Sequence, residues 1–418
     1  MNMSMKALPF AVVIALSGFA AADSQQVTTL NQSGNGNQAA IEQVYGDTGN
    51  GSQTSVTQTG NTNTAMTLQS NVVQGNLVLL QNGSSNDAKL RQQNSNQASA
   101  SVAQTGGTNT SVVKQDNVTG LTAAGAFNVL LEQNGNANAA DINQRNSNAG
   151  ITVRQTNQAN QAKVATTTIE NSNLEITQNG TANQAFATLT DVHNLSTVST
   201  NFDSINQTGV GNVANLYQSN VNGSFAVIDQ QGTSSQAGVT QIGVSFAGSA
   251  QAGATIRQDG TANNANASIW QGQTSDTVAS IQQGGNGSLA ASSQTGVSGA
   301  SARIQQAADF SSASIIQTGG AGSNGVINQS GSLLSAVVTQ DGDNHRANVN
   351  QTGDGHVADL GQTGSSQVAT IVQSGSNNWT WATQAGSGNQ LTVTQSGVGQ
   401  QALVSQSGAG NIGSILQH

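Results

Sequence analysis

The stretch from Gln329 to the end of the sequence decides the fold. Its glutamines fall at Gln329, Gln340, Gln351, Gln362, Gln373, Gln384, Gln395, Gln406 and Gln417, one every eleven residues. Read in steps of two, the residues leading to each glutamine give His345-x-Ala347-x-Val349-x-Gln351, Gln367-x-Ala369-x-Ile371-x-Gln373, Gln400-x-Ala402-x-Val404-x-Gln406 and Asn411-x-Gly413-x-Ile415-x-Gln417. A polar residue opens each set, a small and then an apolar residue follow, and an amide closes it. Alternation by two marks a strand, because successive side chains point to opposite faces. After the glutamine comes a Gly-bearing turn, as in Gln351-Thr352-Gly353 and Gln406-Ser407-Gly408. Seven strand residues and a four-residue turn account for the period, so the chain is a strand-and-turn repeat.

Working outward, the same pattern reaches back to Gln32. It recurs at Asn37-x-Ala39-x-Ile41-x-Gln43, Asn63-x-Ala65-x-Thr67-x-Gln69, Asn86-x-Ala88-x-Leu90-x-Gln92, Asn138-x-Ala140-x-Ile142-x-Gln144 and Asn212-x-Ala214-x-Leu216-x-Gln218. Here the spacing wanders. Longer excursions at Tyr45–Gln53, Thr119–Ala126, Asp191–Ser204 and Phe246–Ala254 read as enlarged turns. Two expected glutamines are missing, near Thr167 and Thr190. Self-similarity gives about thirty strand units, or about fifteen two-strand repeats.

Composition agrees with a repeat and excludes several function classes. Of 418 residues, 35% are hydrophobic, 3% aromatic and 7% charged, against about 45–50% apolar and about 25% charged in ordinary domains. The regular period argues against plain disorder. A net charge of −9 with no basic run excludes a phosphate-neutralising nucleic-acid surface read from sequence. With no cysteine, disulfides and thiolate metal sites are ruled out. The single proline is Pro9, so everything after it can donate to a β-ladder.

Residues 1–22 read as a secretory signal: Lys6, an apolar core from Leu8 to Leu16, and Ala20-Ala21-Ala22 for cleavage. Residues 23–31 form a short N-terminal segment, and 32–418 the repeat array. No apolar run in the mature chain is long enough to span a bilayer.

The expected fold is all-β, a solenoid of stacked strand-turn-strand units. One strand cannot bury its apolar stripe alone, but stacked units can. Buried amides are costly unless paired. Stacked in register about 4.8 Å apart, each donates to the next unit and accepts from the previous one. The ladder residues are Gln32, Asn37, Gln43, Asn63, Gln69, Asn86, Gln92, Asn138, Gln144, Gln207, Asn212, Gln218, Gln340, Gln351, Gln362, Gln373, Gln384, Gln395, Gln406, Asn411 and Gln417. Gly34, Gly60, Gly209, Gly342, Gly353, Gly364, Gly375, Gly397 and Gly408 supply the positive φ of the turns. The last unit, Asn411 to Gln417, matches the interior ones, and an uncapped edge is a template for another copy.

Other residues invite chemistry. His345 and His356 open adjacent strands and are expected at opposite ends of one rung, in the place of Asn, too far apart to share an ion. Asp341, Asp343 and Asp354 lie in neighbouring turns, without an EF-hand loop or the calcium nonapeptide, and read as solvating gatekeepers or a weak cation site. Trp379 and Trp381 fall on the outward face, where they suit either a partner fibre or glycan, or cross-rung packing. No catalytic constellation and no cofactor motif is present. A polysaccharide lyase on a β-helix would need clustered charges that 7% does not supply.

The string Gln32-Ser33-Gly34-Asn35-Gly36-Asn37-Gln38-Ala39-Ala40-Ile41-Glu42-Gln43 resembles the curlin repeat, Q-x-G-x-G-N-x-A-x-x-x-Q. Gln207-Thr208-Gly209-Val210-Gly211-Asn212-Val213-Ala214-Asn215-Leu216-Tyr217-Gln218 resembles it at every fixed position. The resemblance implies a subunit of curli-like fibres: extracellular amyloid of Gram-negative bacteria that serves adhesion and biofilm matrix. It implies self-assembly, a nucleator subunit and outer-membrane export machinery as partners. The chain departs from the short family subunit in having about three times as many repeats and only Asp23 to Asn31 where that subunit has a Gly-rich leader. A secreted β-solenoid adhesin that does not polymerise is the alternative. The amyloid family of pseudomonads also carries Gln/Asn-rich repeats, with fewer repeats and long linkers.

Overall fold

The structure is a computed structural model that describes residues 13–17, 27–44, 51–120, 128–193, 202–245 and 253–418. The excursions expected around residues 45–53, 119–126, 191–204 and 246–254 lie largely outside these residues, as does most of the expected signal segment. Within that segment, Val13–Ser17 runs parallel to Gln38–Val44. Among the described residues there are 34 strands and no helix, and hence no helix long and apolar enough to cross a membrane.

Contacts divide the chain into two units, residues 1–191 and 192–418. Each is built of two-strand rungs, a leading strand and a trailing strand. In the first unit the leading strands include Gln53–Asn61, Asn76–Ser84 and Ser99–Gly107, each parallel to the next. The trailing strands include Thr64–Ser70, Asp87–Gln93 and Thr110–Val118, also parallel. The second unit repeats the plan, with leading strands such as Arg346–Asp354 and Val368–Ser376 and trailing strands such as Val357–Ser365 and Trp379–Ser387. Parallel pairing follows from the repeat. A strand pairs with its equivalent one rung on, so identical positions align, as Gln351 does with Gln373.

Burial alternates with the strand period. In Val368–Ser376, Ala369, Ile371 and Gln373 are buried between Val368, Thr370 and Val372 on the outside. The core of each unit is therefore a column of Ala beside a column of Val, Ile or Leu, closed by glutamine. A fully buried Ile such as Ile371 contributes about 1.5–3 kcal/mol. Strand pairing also runs further than seven residues. Nine-residue strands such as Arg346–Asp354 continue through the turn glycine, because Gly331, Gly353, Gly375 and Gly397 stack in register like any other position.

Candidate functional site: the amide ladders and their corners

Inside each rung the glutamine has no water, so all its hydrogen-bonding groups must be met by protein. Gln351 is 1% exposed. Its Oε1 accepts from Gln329 Nε2 at 2.8 Å, and its Nε2 donates to Gln373 Oε1 at 2.8 Å and to the carbonyl of Ser335 at 2.9 Å. One amide thus joins three strands: its neighbours above and below and the facing strand. The same bonds run through the other expected members. In the first unit Gln32 donates to Gln58, and Gln43 to Gln69, Gln69 to Gln92, and Gln115 to Gln144. In the second unit Gln207 donates to Gln230, Gln218 to Gln241, Gln340 to Gln362, Gln362 to Gln384, Gln384 to Gln406, and Gln395 to Gln417. Gln32 and Asn411 are exposed and Gln417 is half-buried. These glutamine-to-glutamine donations all run from the lower-numbered rung to the higher, so the glutamine dipoles align and their ladder is polar.

The corner between leading and trailing strands is held by Asn. Asn63, fully buried, donates from Nδ2 to the carbonyl of Gly83, in the next rung's turn, at 2.9 Å. Its Oδ1 accepts the backbone N–H of Asn86 at 3.1 Å. Asn37, Asn138 and Asn212 make the corresponding bonds to the carbonyls of Gly60, Asn157 and Gly232. The turn glycine is needed for two reasons. Gly60 has φ +108°, and a Cβ there would run into the carbonyl oxygen of Gly83. Gly34, Gly342, Gly353, Gly364 and Gly375 face the next rung's turn carbonyl in the same way, and Gly209 faces Gly232. In Gly397 and Gly408 the positive φ alone makes the demand. Sequence reading supplies the φ argument; the close stacking of turn backbones is visible only in three dimensions.

His345 and His356 are both fully buried and occupy the Asn position of opposite corners. His356 Nε2 lies 3.1 Å from the carbonyl of Thr352, and its Nδ1 accepts the N–H of Asn378 at 3.2 Å. His345 has the same pair, with Asp341 O at 3.0 Å and Gln367 N at 3.4 Å. Only the neutral ring protonated on Nε2 can donate to the carbonyl and accept from the backbone at once. Asp341 accepts from Thr318 Oγ1, Asp343 from the N–H of Ala321, and Asp354 from Ser332 Oγ. Among the described residues, no three acidic or histidine side chains gather as a metal site. Trp379 and Trp381 stand outward, 38% and 40% exposed, with Thr380 and Ala382 buried between and behind them.

The residues at the two missing glutamines are Thr166 and Leu189, one position earlier than the sequence spacing suggests. Thr166 pairs with Gln144 and is buried, its Oγ1 without a hydrogen bond. The second corner of the first unit also escaped the sequence reading. There the chain buries Val72, Val118 and Ile169 in place of an Asn. Ser52 Oγ bridges the corner, donating to Val72 O and accepting from Gly75 N–H. The signal for it is the longer step from Gln69 to Gln81.

This geometry invites comparison with known repeats. The family model described as the curlin associated repeat matches residues 320–353 and 368–397. These two segments are similar to the curlin repeat. The matched segments lie where the ladder step is 22 residues, as from Gln329 to Gln351 and from Gln373 to Gln395. No curated protein matches the chain. Curlin repeats on a β-solenoid support a structural or adhesive role of the curli type.

Proposed function

We propose that this protein is a structural subunit of an extracellular, curli-like amyloid fibre, exported by its N-terminal signal and used in adhesion and biofilm matrix. The observation that carries this reading is the in-register identity of successive rungs. Each presents the next with the same row of backbone groups and the same glutamine and asparagine amides, so a rung of a second copy fits where a rung of the same copy does. The one-way donation along the ladder gives growth a direction: an edge offering Nε2 meets an edge offering Oε1. Such a fibre subunit has a structural role and needs no catalysis. A nucleator subunit and outer-membrane export machinery complete the proposed setting, as they do in curli systems.

The exposed outward faces favour a second reading, a surface adhesin that stays monomeric. Purified chain from Asp23 to His418, followed by thioflavin fluorescence with and without preformed seeds, separates the two. Fibre growth accelerated by seeds is expected. A soluble monomer unchanged by seeds overturns the fibre and leaves the adhesin.

A further inference from the structure

Trp379 and Trp381 stand on the outward face of Trp379–Ser387, and the stack does not need them there. The core of that strand is Thr380, Ala382 and Gln384, all buried. The parallel register fixes the neighbours of the two rings. Trp381 lies between Asp359 on one adjacent strand and Leu403 on the other, and Trp379 lies between Val357 and Gln401. Strands stack about 4.8 Å apart, so the Asp359 carboxylate and the Trp381 indole project outward side by side.

Asp359 is the unusual member of this group. It is half-buried, and burial raises its carboxyl above the usual carboxylate range. Among the described residues no hydrogen bond or ion pair reaches that carboxylate. Its neighbours in the second unit are better served: Asp341, Asp343 and Asp354 each accept a hydrogen bond, and Asp229 lies 3.9 Å from Arg257. The trailing strands of this unit, from Val213–Asn222 to Gln401–Ala409, carry no Lys or Arg, so none of them supplies a counter-charge. A desolvated, unpaired carboxylate is costly, and a cation from outside removes the cost. The indole beside it selects the kind of cation. A metal ion needs several oxygen ligands, and no further acid or histidine gathers here. A neutral sugar leaves the charge uncompensated. A guanidinium is planar and weakly hydrated, stacks on an aromatic face and forks two N–H groups onto a carboxylate.

We infer that Asp359 and Trp381 form a receptor for an arginine side chain of a partner protein, with the guanidinium forked on Asp359 and stacked on Trp381. Val357, Trp379 and Leu403, all exposed, offer apolar surface to the arginine stem. Binding there requires only the folded second unit, so it stands apart from fibre growth.

The test uses the full-length chain labelled with fluorotryptophan and read by fluorine NMR, in solution or, if fibres form, in the solid state. Signals are assigned with Trp270→Phe, Trp379→Phe and Trp381→Phe. Trp270, exposed elsewhere on the same face, is the internal control and reports that each variant is folded. N-acetyl-arginine amide carries the guanidinium as its only charge. It should shift Trp379 and Trp381 saturably in the millimolar range and leave Trp270 in place. The neutral citrulline analogue should shift none of them. Asp359→Asn should weaken binding about tenfold, and Asp359→Glu should largely retain it. Trp381→Leu should weaken it about threefold. No saturable shift, an equal shift with the citrulline compound, or unchanged affinity in Asp359→Asn overturns the site. So does tighter binding of tetramethylammonium, which cannot fork on a carboxylate, or of cellohexaose, which carries no charge.

Discussion

Two stretches of the molecule build the same rung differently. Between Gln58 and Gln104 the ladder step is 23 residues, one corner is closed by Asn and Gly, and the other by a buried Val or Ser with left-handed Asn71, Gln74, Asn94 and Gln97. Between Gln340 and Gln395 the step is 22, and both corners close with a polar side chain over a stacked glycine. The glutamine ladders are the same in both, at 2.8–3.0 Å. The amide column thus fixes the stacking, and the corners are free to vary as long as their carbonyls are satisfied. The family-model matches fall where the ladder step is 22 residues, and the ladder there is no tighter.

The largest effect that would break this comparison belongs to the stacked glycines. Gly353→Val should cost several kcal/mol, more than the roughly 1–2 kcal/mol of a left-handed backbone alone, because its Cβ meets the Gly375 carbonyl. Gly388→Ala, at φ +64° with open space around it, should cost only the backbone part, about 1–2 kcal/mol. Comparing the urea midpoints of the two variants measures the stacking directly.

Next is the ladder itself. Gln351→Leu leaves the amide of Gln329 and the oxygen of Gln373 unmatched, and should destabilise by about 2–3 kcal/mol. Gln104→Leu should cost the same in the first unit, since its bonds are the same. Unequal losses in denaturant titration would separate the two stretches. The hydrophobic corner comes below this: Ile169→Val should cost about 1 kcal/mol, an effect with no counterpart between Gln340 and Gln395.

The smallest effects sharpen the picture at single residues. His356→Asn should change stability by less than about 0.5 kcal/mol, because Asn makes both corner bonds elsewhere, whereas His356→Leu loses both. Asp359→Asn should stabilise slightly at neutral pH. A carboxyl whose folded pKa is raised disfavours folding while ionised, and that penalty fades as pH falls through the carboxylate range. The advantage of the Asn variant should fade with it, as thermal melts at neutral and acid pH would register.

Much of this was legible in the sequence, for a physical reason. Every inward position of a two-residue period recurs in the next unit, so Gln351 or Asn63 declares its role by spacing alone. Gln58, Gln81 and Gln155, not singled out from sequence, sit on the same ladder and were open to the same reading. What was not legible depends on contacts between units far apart in sequence. Leu189 and Thr166 occupy glutamine positions without any local mark, and the turn glycines look like ordinary turn residues until their carbonyls are stacked. Asp359 and Trp381 are far apart along the chain, and only the stacking sets them side by side.

The central claim is that the amide ladder of one molecule continues into the next. X-ray diffraction from aligned fibres of the purified chain tests it most directly. The account predicts a sharp reflection near 4.7–4.8 Å along the fibre axis, from rungs stacked end to end. The same spacing across the axis, or an unaligned ring from clumped monomers, would mean that the ladders stop at the edge of each molecule and would contradict it.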